Sequence, residues 1–180
     1  LQERTRAHIY GFDYSETAIT TAKTLFCKNA EFREGIIGEI EYPKEKFDVI
    51  ISMDTLYFAA DMTAFMAQVR NWLKKDGVFF VGYQEGDVIP KTSNAHTTML
   101  VKALQENNMT YEVTDITKQT YKLLKKKRES AIKYRTLFED EGYSQWFDML
   151  IGQTEYINVP FEQFKEKMAR YIYVIRNGLR

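Results

Sequence analysis

Apolar residues along the chain follow two patterns. Short, nearly continuous runs occupy Ile9–Phe12, Phe47–Ser52 (FDVIIS) and Val78–Tyr83 (VFFVGY). Runs of this kind mark strands covered on both faces. Between them apolar positions recur every three or four residues, the helical interval. After Ser15, a good N-cap residue, come Ala18, Ile19, Ala22, Leu25 and Phe26. Asp61 is placed to cap a second helix with Met62, Phe65, Met66, Val69, Trp72 and Leu73 on one face. Lys74 and Lys75 suit the negative end of that helix, and Gly77 suits its C′ position. Residues 94–106 predict a third helix through Met99, Leu100, Ala103 and Leu104. Ala30–Arg33 reads as a short edge strand, 42–46 as a turn, and 109–116 as a strand near an edge.

Strand and helix therefore alternate, the pattern of an α/β domain with a largely parallel sheet. The periodicity changes after Ile116. Tyr121, Leu124, Ala131, Tyr134 and Phe138 keep helical spacing, as do Tyr143, Trp146, Phe147, Leu150 and Ile151, with breaks near Gly142 and Gly152. Residues 161–168 add a last helical turn or two. RYIYVIR, 170–176, is rich in β-branched and aromatic residues and reads as an antiparallel last strand. A helix stays open there, because Phe161, Phe164, Met168, Tyr171 and Ile175 also hold a 3.6 period. The expected organisation is a core over 1–116, a helical cap insertion over 117–168 and a last core strand over 169–180. The runs at 9–12, 47–52 and 78–83 are expected to be neighbouring parallel strands.

Composition narrows the function classes. The 180 residues carry 25 Lys+Arg against 25 Asp+Glu, a net charge of zero that gives no general pull toward nucleic acid or an anionic membrane. No apolar run nears the 18 or so residues that span a bilayer. The single cysteine, Cys27, allows no internal disulfide and suits a reducing cytoplasm. His8 and His96 have no spacing to Cys or carboxylates that suggests a metal.

The chemistry gathers at GFDYSETAITTAK, 11–23. Ligands of doubly wound sheets sit outside the carboxyl ends of the strands, and an acid there can hold both ribose hydroxyls of a nucleotide cofactor. Asp13 is placed to be that acid. The alternative role is local, a carboxylate stabilising the first turn of the following helix.

Three pieces in order, Gly11-x-Asp13-x-Ser15, Phe47-Asp48-Val49-Ile50 and Leu73-Lys74-Lys75-Asp76-Gly77, give 1–116 a pattern that resembles the class I S-adenosylmethionine-dependent methyltransferases. That resemblance implies a Rossmann-like, mostly parallel sheet with an antiparallel last strand, and methyl transfer to a small-molecule acceptor. It places Asp13 on the ribose, with Tyr14 and Ser15 beside it. It places Ile36 and Ile37 at the adenine, where the family often has Asp. Ser52 and Met53 fall near the methionine part of the cofactor. Asp54 orients substrate or accepts a proton; Tyr57, Tyr83 and Trp146 meet substrate. Asp48 is expected to pair structurally.

One family feature, the glycine-rich loop after the first strand, should lie some twenty residues before Asp13. Only twelve residues precede Asp13. The expectation is of roughly fifty further residues upstream, without which the fragment binds cofactor poorly and is inactive. Two other functions share the fold: an NAD(P)-dependent oxidoreductase, disfavoured by the FDVIIS…LKKDG pattern, and a non-catalytic association domain. The aromatics of 117–168 are expected to cover the substrate pocket, meet a second subunit in a homodimer, or both. The basic run 125–128 reads as a solvated helix face.

Overall fold

The computed structural model describes residues 2–26 and 28–178, so Cys27 and the last two residues of the expected strand at 169–180 lie outside the described residues. In chain order the elements are α1 (Gln2–Thr5), β1 (Ile9–Asp13), α2 (Glu16–Leu25), β2 (Ala30–Glu34), β3 (Phe47–Met53), α3 (Met62–Trp72), β4 (Leu73–Glu85), α4 (Met99–Glu106) and β5 (Met109–Asp115). Then follow α5 (Thr117–Lys133), α6 (Arg135–Asp140), α7 (Ser144–Gln153), α8 (Phe161–Lys167) and β6 (Ala169–Asn177). Ser15 and Asp61 act as the expected caps: their side chains accept from the N–H of Ala18 and of Ala64.

The strands form a four-stranded sheet of order β3-β4-β6-β5 and a parallel pair, β1-β2. β3 and β4 run parallel, and β6 runs antiparallel to both β4 and β5. RYIYVIR is thus an antiparallel strand and not a helix. One expectation is corrected. Ile9–Phe12 has no ladder with Phe47–Ser52: among the described residues β1 pairs only with β2, in a sheet separate from that of β3. Tyr10 and Phe47 meet ring to ring, 5.6 Å apart, centroid to centroid.

Register sorts the two faces of the larger sheet. Phe79, Val81 and Tyr83 of β4 share a face with Ile175, Tyr173 and Tyr171 of β6. That face packs on Phe65, Met66, Val69 and Trp72 of α3 and on Leu100, Val101 and Leu104 of α4. The opposite face carries Val49, Ile51 and Met53 of β3, each about half exposed at 51%, 53% and 49%, and Phe80 of β4. One side of this sheet is therefore a core and the other an open apolar surface beside the β1-β2 pair.

Two helix boundaries differ from the sequence pattern. α3 ends at Trp72, and Leu73 already pairs with Phe47 in the sheet. Gly77 is therefore not a helix cap; a Cβ there would meet the Phe47 carbonyl oxygen at 2.9 Å, so it is small because strands approach closely. α4 starts at Met99, not 94. Side-chain bonds hold 93–97 in turns, Asn94 Oδ1 accepting from His96 N–H, and Thr98 caps the helix.

Residues 117–167 are mostly helical, with breaks between α6 and α7 and between α7 and α8. α5 and α8 build a small core of Ile157, Phe164 and Met168 with Tyr121 and Leu124 against it. The basic run is only partly a solvated face. Lys127 donates to Gln153 Oε1 and Arg128 to the Ile151 carbonyl, so two of its four cations fasten α5 to α7.

Candidate active site

β1 ends in Asp13 directly opposite Glu34, the last residue of β2. This register depends on Gly11, whose missing side chain leaves room for the Phe32 ring; a Cβ would come within 2.8 Å of it. Asp13 Oδ1 accepts from the Ser15 N–H at 2.9 Å, which aims the carboxyl at the start of α2. Beside it a groove of about 580 Å³ is lined by Tyr14, Glu34, Gly35, Ile36, Glu39 and Ile40. Tyr14 is 79% exposed and Ile36 52%, so an aromatic and an aliphatic surface stand open at the strand ends. Ile37 turns instead toward the core. Asp13 sits at the rim of this groove and is not part of its lining.

The second group lies where β3 ends. Ser52 and Thr55 share a hydrogen bond of 2.6 Å through their hydroxyls, and Met53 lies over Gly82 of β4. Asp54 takes a left-handed backbone, φ 56°, which an aspartate tolerates better than most residues, and its N–H donates to the Gly82 carbonyl. Its carboxylate pairs with the guanidinium of Arg170, the second residue of β6, with both side chains mostly buried. Among the described residues Asp54 Oδ1 and Arg170 Nε are buried without a hydrogen bond. A buried polar atom without a partner is costly, so these two are the site's open valences.

Tyrosines surround this pair. Burial pushes the Tyr57 hydroxyl up to about 12, and the Asp54 charge adds to the effect. Tyr57 stands 6.2 Å from Tyr83, ring to ring. Tyr83 is fully buried, its hydroxyl unpartnered, and burial with the charge of Glu85 raises it to about 12. Glu85 is itself wholly buried; its Oε2 accepts from the N–H and hydroxyl of Thr92, which folds the 86–92 loop back over the strand end. Asp48, at the other end of β3, pairs with Lys74 at 2.8 Å as a structural contact.

Two groups thus stand at strand ends: Asp13, Tyr14, Ser15 and Ile36 by the groove, and Ser52, Met53, Asp54 and Tyr57 after β3; Tyr83, expected to meet substrate, is instead closed off in the core. Trp146 joins neither; it sits on α7, 48% exposed. A family model described as "Methyltransferase domain" matches residues 1–142. The chain belongs to the class I S-adenosylmethionine-dependent methyltransferases. S-adenosylmethionine is the cofactor of this family.

Named relatives of this methyltransferase domain agree with the assignment. Ubiquinone biosynthesis O-methyltransferase of Bartonella quintana (strain Toulouse) is 33% identical over 81 residues, which is 43% of this chain and 33% of that protein. The match spans about a third of that relative's length. In three dimensions the chain resembles phosphoethanolamine N-methyltransferase 2 of Haemonchus contortus in complex with phosphomonomethylethanolamine and S-adenosylhomocysteine. That likeness has a TM-score of 0.80 at 13% identity and covers 99% of this chain and 45% of the other. The [4+2]-cyclase SpnF shares the fold too, with a TM-score of 0.68, 14% identity, and 97% and 67% of the two chains covered. The fold is therefore common to different chemistries, and the residues of the site must carry the functional argument.

Two functional candidates escaped the sequence pattern. Glu34 supplies a carboxylate at the end of β2, where the motif seemed to offer only Ile36 and Ile37; the signal was the acid just before Gly35. Arg170 is 116 residues from Asp54. Its one signal was a cation opening the antiparallel last strand.

Proposed function

We propose that the protein methylates a small-molecule acceptor with S-adenosylmethionine, and that the groove at the ends of β1 and β2 holds the adenosyl part. The observation that carries this is the placement of Asp13 and Glu34, neighbouring acids at paired strand ends, beside an open groove with an exposed aromatic ring. The groove's chemistry fits a nucleoside. Asp13 is the ribose acid. Glu34 is placed to accept from the exocyclic amine of the base, and Tyr14 and Ile36 offer flat apolar contact.

When bound, S-adenosylmethionine supplies a methyl group already activated for transfer. The chain's own part is alignment and exclusion of water. Asp54, fixed by Arg170 and the turn after β3, orients the acceptor, and its free Oδ1 takes a proton where the acceptor must lose one. Tyr57 closes one side of that position. The helices of 117–167 serve as a cap; Tyr156 of the linker before α8 reaches Asp87 in the loop after β4.

Calorimetric titration tests the reading. S-adenosylhomocysteine should bind the intact protein, and NADH should not. Binding of NADH alone would replace methyl transfer with redox chemistry, and binding of neither would leave only an association domain.

A further inference from the structure

A second cleft, about 430 Å³, opens at the β6-β5 side of the larger sheet, away from the adenosyl groove. Its walls come from the loop after β4, the start of α5, α8 and the first residues of β6. Lys91, Lys118 and Lys165 stand in this lining against one carboxylate, Asp115. Asp115 is already engaged, its Oδ1 accepting from the Thr117 N–H at 2.8 Å. Lys165 pairs with Glu162 on its own helix. Lys91 is half-buried, and its ammonium donates to the Thr92 carbonyl. Neither Lys91 nor Lys118 has a carboxylate partner among the described residues. With Lys165 answered by Glu162, two unpaired cations from separate elements, Lys91 and Lys118, face the single carboxylate of the lining, which keeps an excess of positive charge. In a space partly shielded from water, that imbalance favours an anion more strongly than the same charges would on an open surface.

We propose that this cleft binds an anionic group of the methyl acceptor, a phosphate or a carboxylate. The inference rests on the methyl-transfer reading and names the substrate class for it. Position supports it. Tyr171 lines the cleft and is the cross-strand partner of Tyr83, whose ring is 6.2 Å from that of Tyr57, the neighbour of Asp54. Ala169 and Tyr171, both in the lining, flank Arg170, the partner of Asp54, so an anion held at Lys91 and Lys118 lies by the strand start that also fixes the acceptor-orienting carboxylate.

Titration of the protein with inorganic phosphate and with acetate, at constant ionic strength, tests the site. Saturable binding of phosphate alone marks a phosphate-bearing acceptor, and binding of acetate as well marks a carboxylate. Lys118→Ala and Lys91→Ala should each weaken that binding by about tenfold or more, since hydrogen bonds to charged groups are strong ones. Lys125→Ala, on the exposed face of α5, should leave it unchanged. Thermal melts establish that each variant is folded. S-adenosylhomocysteine affinity on the same samples should not move, and it reads the methyl-transfer proposal separately. Absence of saturable binding by either anion, or equal binding in wild type and Lys118→Ala, would overturn the proposal.

Discussion

Removing the guanidinium of Arg170 should expose how the site is held. In Arg170→Met the aliphatic stem remains, but Asp54 is left with both carboxylate oxygens unanswered in a mostly buried position. Breaking a wholly buried pair by deleting one partner costs about 3–5 kcal/mol, and a surface pair is worth about 0–1 kcal/mol. The side chains here retain 21% and 30% of their exposure, nearer the buried limit. A loss of about 2 kcal/mol follows from discounting the buried figure for solvent. For a chain of this length that lowers Tm by roughly 4–8 °C. Asp54→Asn should cost less, because the amide keeps the shape and removes the stranded charge. The double variant should recover part of the loss, with a coupling energy of about 1–2 kcal/mol. Urea denaturation of the four proteins, with m held as a check on the denatured state, measures each term. An Arg170→Met variant within about 0.5 kcal/mol of wild type, or strict additivity in the cycle, would refute this account of the pair.

Tyr83→Phe should be neutral or slightly stabilising, because its buried hydroxyl has no partner. Tyr173→Phe should cost about 1–2 kcal/mol, since that hydroxyl donates to the Ala95 carbonyl at 2.6 Å; equal effects in denaturation would contradict the assignment. Tyr83 and Tyr171 both titrate near 12 in the folded protein against an ordinary value of 10.0. Unfolded chains lose these protons first, so the stability they confer is whole below pH 10.0 and lost as pH rises toward 12. Denaturation midpoints should fall steeply over that window, and less steeply in Tyr83→Phe. Gly86→Ala should be severe, lowering stability by several kcal/mol. Its φ is +95°, and a Cβ would sit 1.8 Å from the Lys167 carbonyl oxygen, so a thermal melt near wild type would show that the loop can move aside.

Much of the fold was readable because its elements answer to local physics. Strands β3 and β4 are apolar on consecutive residues, and Ser15 and Asp61 cap helices by bonds that span three residues. RYIYVIR satisfied both a strand and a helix period; β-branched and aromatic content pointed to the strand, and sheet partners on both sides decided it. The missed boundaries have tertiary causes. Leu73 looks like the end of a helix but joins the sheet through Phe47, a partner far off in sequence. At the site, Asp13 was visible because a motif surrounds it. Glu34 was not, because its meaning comes from the β1-β2 register. Arg170 and Asp54 meet only once β6 is laid beside β4. The lysines of the second cleft are scattered over three elements, and no single stretch of sequence announces them.

Titration of the intact protein with S-adenosylhomocysteine, wild type against Asp13→Ala, tests the central claim most directly. Hydrogen bonds to a charged group contribute about 1.5–3 kcal/mol each, and each 1.4 kcal/mol is about tenfold in affinity. Asp13→Ala should therefore weaken binding by roughly 10- to 100-fold or more, with Asp13→Asn between the two because it keeps an acceptor. Undiminished affinity in Asp13→Ala would contradict the claim that this carboxylate holds the cofactor's ribose.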